Sequence, residues 1–250
     1  TMPSFASWYS VTYEDGKFVT VANYSNKAAY SSDGINWTET TLPSSAYWRS
    51  ITYGDGKFVA VIYDSNKAAY SSDGINWTEI TMPSSRSWTS VTYGGGKFVA
   101  VANGSGKVVY SSDGINWTET TMPSYRTWSS VTYGDGKFIA VASYSDKAAY
   151  SSDGINWTET TLPSSAYWFS VTYGNGKFVA ITYNSNKAAY SSDGINWTET
   201  TLPSSAHWFS VTYGDGRFVA VAEYSSKAAY SSDGIDWLET TMPSFASWYS

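Results

Sequence analysis

Few side chains in this chain have the chemistry of a catalytic or metal-binding group. Cysteine is absent, and His207 is the only histidine. A Ser-His-Asp triad, a histidine-ligated metal or a histidine general base therefore has a single candidate. His207 stands beside Trp208 at a variable position, which favours a surface aromatic substitution. The lack of Cys excludes disulfides and thiolate metal sites, and it leaves the cellular compartment undetermined.

One aspartate recurs every 40 residues, at Asp33, Asp73, Asp113, Asp153, Asp193 and Asp233. Each precedes a Gly in a turn, where the carboxylate can accept backbone N–H bonds and Gly can supply positive φ. A metal-binding ring is the alternative interpretation. It is disfavoured because each Asp is a full repeat from the next and lacks neighbouring oxygen ligands. We interpret these residues as structural and predict no metal site and no cofactor.

The same 40-residue period runs through the whole chain without insertion or deletion. We expect structural units at 1–40, 41–80, 81–120, 121–160, 161–200 and 201–240. The 13 Trp fall on two positions of the period and the 7 Pro on one, so they are architectural. Residues 241–250 repeat residues 1–10 unchanged, and both would occupy one place in a ring. One copy is therefore expected to be displaced, disordered or swapped into another molecule.

Each unit reads as four short strands, with residues 121–160 as the example. Strands are predicted at Trp128–Tyr133, Lys137–Ala142, Lys147–Ser151 and Trp157–Thr161, with a polar loop at Ser143–Asp146. No helical period is present. A sheet with two apolar faces must pack against neighbours, so the sequence predicts an all-β fold. The expected architecture is one six-bladed β-propeller domain over 1–250, each blade a four-stranded antiparallel meander. An open β-solenoid is the alternative.

Each unit also carries Ser-Ser-Asp-Gly-Ile-Asn-Trp, as at Ser31 to Trp37, with Asp236 replacing Asn in the last copy. This motif resembles the Asp-box, or BNR, repeat of sialidase-like propellers, although it is one residue shorter between Asp and Trp. The resemblance covers all six units and implies a fold, not a reaction.

Sialidase chemistry, as the resemblance implies it, needs three Arg around the substrate carboxylate, a Tyr with a Glu partner and an Asp acid/base. The chain has four Arg, namely Arg49, Arg86, Arg126 and Arg217. Arg217 replaces a hairpin Lys, and the other three occupy two different repeat positions. No unit carries an extra acidic residue that would mark a catalytic blade. We therefore predict that the chain is not an enzyme.

Differences among the units fall into two clusters, one around the first Trp and one after the second strand. In an antiparallel meander both clusters emerge at the same edge, while the uniform turns emerge at the other. An alternative explanation of these differences is that loop residues change freely because such changes cost little stability. The residue types suit recognition, with aromatic anchors and adaptable polar groups. The candidate ligand-binding residues are Tyr47, Arg49, Arg86, Tyr125, Arg126, Tyr167, Phe169, His207 and Phe209.

These observations favour a non-enzymatic binding module for a glycan or protein. A structural or engineered repeat scaffold without a ligand is the alternative, since the sequence does not separate natural amplification of one blade from deliberate construction. The arginine pair at equivalent positions of adjacent units suggests an anionic ligand. The net charge of −6 makes nucleic acid an unexpected partner. No stretch suits membrane insertion, and Thr1 to Ser10 lacks signal-peptide features. We expect a monomer, with strand swapping through the duplicated ends as an option.

Overall fold

Antiparallel β-strands joined by tight turns make up the fold, in a computed structural model that describes residues 2–247 and 249. The described residues contain strands, turns and bends only, which confirms the predicted all-β class. Within them, no helix is long and apolar enough to cross a membrane. The chain divides into two compact units, Thr1–Thr120 and Thr121–Ser250.

The first unit contains eight complete strands and the beginning of a ninth. They are β1 (Ser7–Glu14), β2 (Lys17–Ser31), β3 (Thr38–Gly54), β4 (Lys57–Ile62), β5 (Ser65–Ser71), β6 (Thr78–Gly94), β7 (Lys97–Asn103), β8 (Ser105–Ser111) and β9 (Thr118–Gly134).

The second unit contains the rest of β9 and nine further strands. They are β10 (Lys137–Ser151), β11 (Thr158–Gly174), β12 (Lys177–Thr182), β13 (Ser185–Ser191), β14 (Thr198–Ala206), β15 (Trp208–Gly214), β16 (Arg217–Ala222), β17 (Ser225–Ser231) and β18 (Leu238–Ala246).

Consecutive segments pair in order within a repeat, as residues 41–80 illustrate. The end of β3 pairs with β4 (Gly54 with Lys57), β4 pairs with β5, and β5 pairs with the beginning of β6 (Tyr70 with Thr78). The type of turn fixes this order, because Asp55 and Gly56 both have positive φ and close a two-residue hairpin. Four antiparallel segments per repeat follow, as the sequence predicted.

The predicted interruption at the Leu-Pro joint is wrong. We expected the fourth strand to stop before Leu162 and Pro163, yet β11 runs without a break from Thr158 to Gly174. Pro163 is tolerated because it falls in an irregular stretch of the β10–β11 register, between Thr161 and Ala166, where no ladder donor is needed. The fourth segment of one repeat is thus continuous with the first segment of the next.

The polar loop predicted at Ser143–Asp146 is also wrong. These residues lie inside β10, which bends sharply at Tyr144, where φ is 55°. Tyr63-Asp64 and Tyr183-Asn184 do form the expected turn. The difference arises because a single left-handed residue redirects a strand without ending its pairing.

The core consists of apolar layers between neighbouring sheets, and a fully buried Trp belongs to each layer. In the first unit, Trp48 belongs to the same buried cluster as Val21, Leu42 and Ile62. Trp88 and, in the second unit, Trp168 and Trp208 are likewise fully buried. Each sheet therefore covers an apolar face of its neighbour, as expected for sheets that cannot fold alone.

First segments of neighbouring repeats lie side by side within each unit. The Ser10 hydroxyl accepts a hydrogen bond from the Ile51 N–H (3.2 Å), and the Ser170 hydroxyl accepts one from the Val211 N–H (3.2 Å). The contact is close, because a Cβ added to Gly174 would lie 2.0 Å from Cγ of Tyr213. This alignment brings the variable positions at the start of each first segment next to one another.

Candidate functional site

The uniform edge of each repeat is a closed hydrogen-bonded turn centred on the recurring Asp. In residues 151–156, Ser151 donates to Asp153 Oδ1 (2.9 Å) and accepts the N–H of Gly154 (2.9 Å). The N–H groups of Ile155 and Asn156 donate to Asp153 Oδ1, and Asn156 Nδ2 donates to Oδ2, all at 2.8 Å. Partial burial opposes ionisation. The donors outweigh it and hold the pKa of Asp153 well below its usual range.

The other five aspartates accept the N–H groups two and three residues further on in the same way, at Asp33, Asp73, Asp113, Asp193 and Asp233. Each carboxylate is occupied by its own turn. Among residues 2–247 and 249, no group of three or more His, Asp or Glu side chains could hold a metal ion.

The hairpin between the first and second segments lies at this same edge. Lys17, which follows one hairpin, donates from Nζ to the carbonyl of Asp73 (2.6 Å), and Asn175 donates to the carbonyl of Ser232 (3.1 Å). The two uniform turns therefore support each other across neighbouring repeats.

In the first unit the variable edge carries an aromatic cluster, defined here as Tyr9, Tyr24, Tyr47, Arg49 and Tyr63 and called the first aromatic cluster. The Tyr47 ring centroid lies 4.7 Å from that of Tyr24 and 5.1 Å from that of Tyr63. The Arg49 guanidinium stands 4.4 Å from the centroid of Tyr9, a cation–π contact. Burial, followed by the neighbouring Tyr24, raises the pKa of Tyr47. The cluster therefore presents aromatic rings and one guanidinium.

A polar cavity of about 360 Å³ lies beside this cluster. It is lined by Asp64, Ser85, Arg86, Ser87, Asn103 and Gly104. Asn103 Nδ2 donates to the Tyr63 hydroxyl (3.3 Å), which joins the cavity to the first aromatic cluster. Ser87 donates to the Asp64 carboxylate across the cavity wall. Arg86 Nε is buried and has no hydrogen-bond partner among the described residues.

The second unit carries a longer aromatic row, defined here as Tyr144, Tyr167, Phe169, Tyr183, His207 and Phe209 and called the second aromatic cluster. Successive ring centroids lie 4.3 Å apart for Tyr144 and Tyr167, 5.2 Å for Tyr167 and Tyr183, and 4.9 Å for Tyr183 and His207. Phe169 contacts Tyr183 at 5.5 Å and Phe209 at 4.7 Å. Side chains from three repeats thus form one continuous surface.

A buried carboxylate anchors this row. Glu223 is 9% exposed and accepts a hydrogen bond from the Tyr183 hydroxyl (2.8 Å), while His207 Nδ1 lies 3.4 Å from the same hydroxyl. Burial, and next the hydrogen bond to Glu223, raise the pKa of Tyr183. Tyr183 is therefore held as a neutral donor.

Seven of the nine candidate residues from the sequence lie in these two clusters or in the cavity. Tyr125 is 72% exposed and lies in neither cluster, and Arg126 has a buried Nε without a described partner, as Arg86 does. Sequence reasoning did not single out Tyr63 or Tyr183. The positions were available from the pattern, because in an antiparallel meander the residue that follows the second segment lies opposite the candidate position before the first Trp. Its expectation that no unit carries an extra acidic residue is wrong, because Glu223 occurs at a position where no other repeat has an acidic residue and it accepts the Tyr183 hydroxyl.

No family model and no curated protein sequence matches this chain. Solved structures of β-propellers do match its fold. Virginiamycin B lyase from Staphylococcus aureus is similar with a TM-score of 0.86 and 18% identity, covering 95% of this chain and 85% of that one. YCF48 bound to D1 peptide matches with a TM-score of 0.74, 16% identity and coverage of 95% and 82%. YCF48 from Cyanidioschyzon merolae matches with a TM-score of 0.72, 14% identity and coverage of 95% and 86%. At these identities the likeness shows the fold alone, and the chain is therefore described as a repetitive β-propeller-like protein.

Proposed function

We propose that this chain is a non-enzymatic binding module that recognises a glycan or protein through its variable edge. One observation carries the proposal: the positions that differ among otherwise near-identical repeats meet one another and form aromatic clusters with a cation and a polar cavity. The uniform edge consists of turns whose polar groups are already hydrogen-bonded within the turn.

The composition of the variable edge supports recognition. Tyr and Phe offer large rigid contact areas with little rotamer entropy to lose, and Ser, Asn and Arg add hydrogen bonds. Aromatic residues and Arg are enriched in protein interfaces for the same reasons. Loop drift alone does not require the variable side chains to stack on one another.

We also propose that the chain forms a single domain, a ring of six blades, one for each 40-residue unit. The unbroken period, the four antiparallel segments in a repeat and the likeness to propellers support this arrangement. A crystal structure with another number of blades in a closed ring would overturn it.

The absence of catalysis is part of the proposal. Tyr183 donates its hydroxyl to Glu223, and its raised pKa favours the protonated phenol. The lyases among the fold relatives are enzymes, but a likeness at 18% identity does not transfer their activity. The YCF48 structure with a bound D1 peptide encourages a search among polypeptides as well as glycans.

Glycan and peptide arrays probed with the labelled chain test the proposal. The informative variants are Tyr47→Ser with Arg49→Ser, and Tyr167→Ser with Phe169→Ser, since Ser already occurs at these repeat positions in Ser87 and Ser129. Leu238→Thr is the matched control, because Leu238 is 59% exposed and the other repeats carry Thr there.

We expect array binding by the parent chain and the control, with a loss of at least about tenfold in one double variant. Array binding that persists in both double variants would exclude the variable edge as the binding surface. Blank arrays would favour the scaffold alternative, which the identical segments 1–10 and 241–250 also support.

A further inference from the structure

The cavity beside the first aromatic cluster is lined by a guanidinium with an unused hydrogen-bond donor. Arg86 Nε is buried and has no hydrogen-bond partner among residues 2–247 and 249. The carboxylates of Glu119 and Asp64 already have partners, since Glu119 is bound by Ser84 (2.6 Å) and Lys107 (3.2 Å) and Asp64 accepts a hydrogen bond from Ser87. A buried N–H donor without an acceptor is costly, so a ligand acceptor at this guanidinium would stabilise it.

Two lining positions of repeat three differ from most other repeats. At the repeat position of Arg86, four other units carry Ala, at Ala6, Ala46, Ala166 and Ala206. At the position of Gly104 (φ 55°), the chain elsewhere places Tyr24, Tyr144 and Tyr224 with φ between 49° and 55°. Tyr24 and Tyr144 each pack on a neighbouring ring, whereas Gly104 has no side chain and lines the cavity.

We propose that this cavity binds the carboxylate of an acidic residue in a polypeptide ligand. The planar fork of Arg86 matches a carboxylate with two parallel hydrogen bonds. This inference rests on the proposed function only in taking a polypeptide as the ligand class.

The rest of the lining favours a peptide. Asp64 and Asn103 supply acceptor oxygens in the cavity lining, and a peptide presents a side-chain carboxylate together with main-chain N–H donors. The apolar surface of the first aromatic cluster lies adjacent, joined through the Tyr63–Asn103 contact, and it can take a neighbouring apolar side chain. An acidic sugar shares the carboxylate, so it enters the experiment as a competing outcome.

The Nε–H resonances of the arginines report on the site directly. The chain has only four Arg, so each signal is assigned from one Arg substitution, including Arg86→Ala. Titrations use N-acetylglutamate amide, its N-acetylglutamine amide counterpart and glucuronate. Gly104→Tyr places a ring at the cavity lining with a residue that the backbone accepts at the same φ, and Arg217→Lys is the control, because the other repeats carry Lys at that hairpin position.

We expect N-acetylglutamate amide to shift the Arg86 signal saturably and the glutamine counterpart to bind at least about tenfold more weakly. Gly104→Tyr should abolish the shift, and Arg217→Lys should leave it unchanged. An unshifted Arg86 signal, an equal response to glutamine or a response that survives Gly104→Tyr would overturn the site. If glucuronate binds more tightly than N-acetylglutamate amide, the assignment of the cavity to a polypeptide ligand is overturned.

The two proposals fail separately. Array binding that is insensitive to Gly104→Tyr would remove this site and leave the binding function standing. A shift of the Arg86 signal, together with arrays that show no binding, would keep this site and remove the proposed binding function.

Discussion

Each turn aspartate closes its loop through its own carboxylate. Asp153 accepts two backbone N–H groups and one side-chain amide, and all its partners lie within residues 151–156. The donors are too close in sequence for a different tertiary arrangement to supply them. The residue therefore acts on local folding, and its effect can be tested one repeat at a time.

Asp153→Asn is expected to lower the free energy of unfolding by about 1–2 kcal/mol, because the hydrogen bonds lose their charge and the new NH₂ faces the NH₂ of Asn156. Asp135→Asn is the matched control. It removes a surface ion pair to Lys137 at 3.6 Å, and Asn175 already occupies the same hairpin position. Urea denaturation of both variants measures the difference, and equal midpoints would contradict the prediction.

The same pair of variants predicts a pH dependence. Because the folded pKa of Asp153 is lowered, its contribution is complete above the unfolded value near ~3.9 and declines as the pH falls from there towards the folded value. The stability gap between parent and Asp153→Asn should therefore be constant near neutral pH and shrink below about pH 4. Urea titrations at a series of pH values check this. A stability difference between parent and Asp153→Asn that grows as the pH falls would contradict the prediction.

At the scale of elements, the first segments of adjacent repeats fit closely because one of them ends in Gly. A Cβ at Gly174 would meet the Tyr213 ring at 2.0 Å, whereas a Cβ at Gly214 would meet nothing within 4 Å. The first repeat has Glu14 at this position, opposite Tyr53, so the ring can move aside at some cost.

We expect Gly174→Ala to destabilise the fold by about 1–2 kcal/mol through displacement of Tyr213. Gly214→Ala serves as the control and should stay within about 0.5 kcal/mol of the parent. Thermal or urea unfolding of the two variants measures the effect, and a Gly174→Ala variant as stable as the control would show that the contact is not restrictive.

Periodicity and turn chemistry were sufficient to predict the antiparallel segments. They did not predict the continuity of β11 through Pro163 or of β10 through Tyr144, because both depend on how a strand bends while its partner stays paired. For the site, variation among repeats identified Tyr47 and Tyr167. It did not identify Glu223 as a buried acceptor, since burial depends on the packing of the neighbouring repeat.

At the scale of the whole molecule, the proposed single ring and the two compact units make different predictions for unfolding. A closed ring has no independent half, so we expect one calorimetric transition whose calorimetric and van 't Hoff enthalpies agree. Two resolved transitions, or separate folding of fragments 1–120 and 121–250, would contradict the single domain. Differential scanning calorimetry of the chain and circular dichroism of the fragments make the comparison.

The contacts at the variable edge also determine which exchanges between repeats keep contacting side chains together. Tyr24 touches Tyr47 and Asp64 touches Ser87, so each partnership joins one copy to its successor, whereas the Asp turns are complete within one copy. An exchange with breakpoints at the copy boundaries, such as 40/41 and 80/81, would separate these partners. Breakpoints in the hairpins near Asp15 and Asp55 would transfer Tyr24 together with Tyr47. Shuffled libraries cut at the hairpins should therefore retain matched surfaces that libraries cut at the copy boundaries lose.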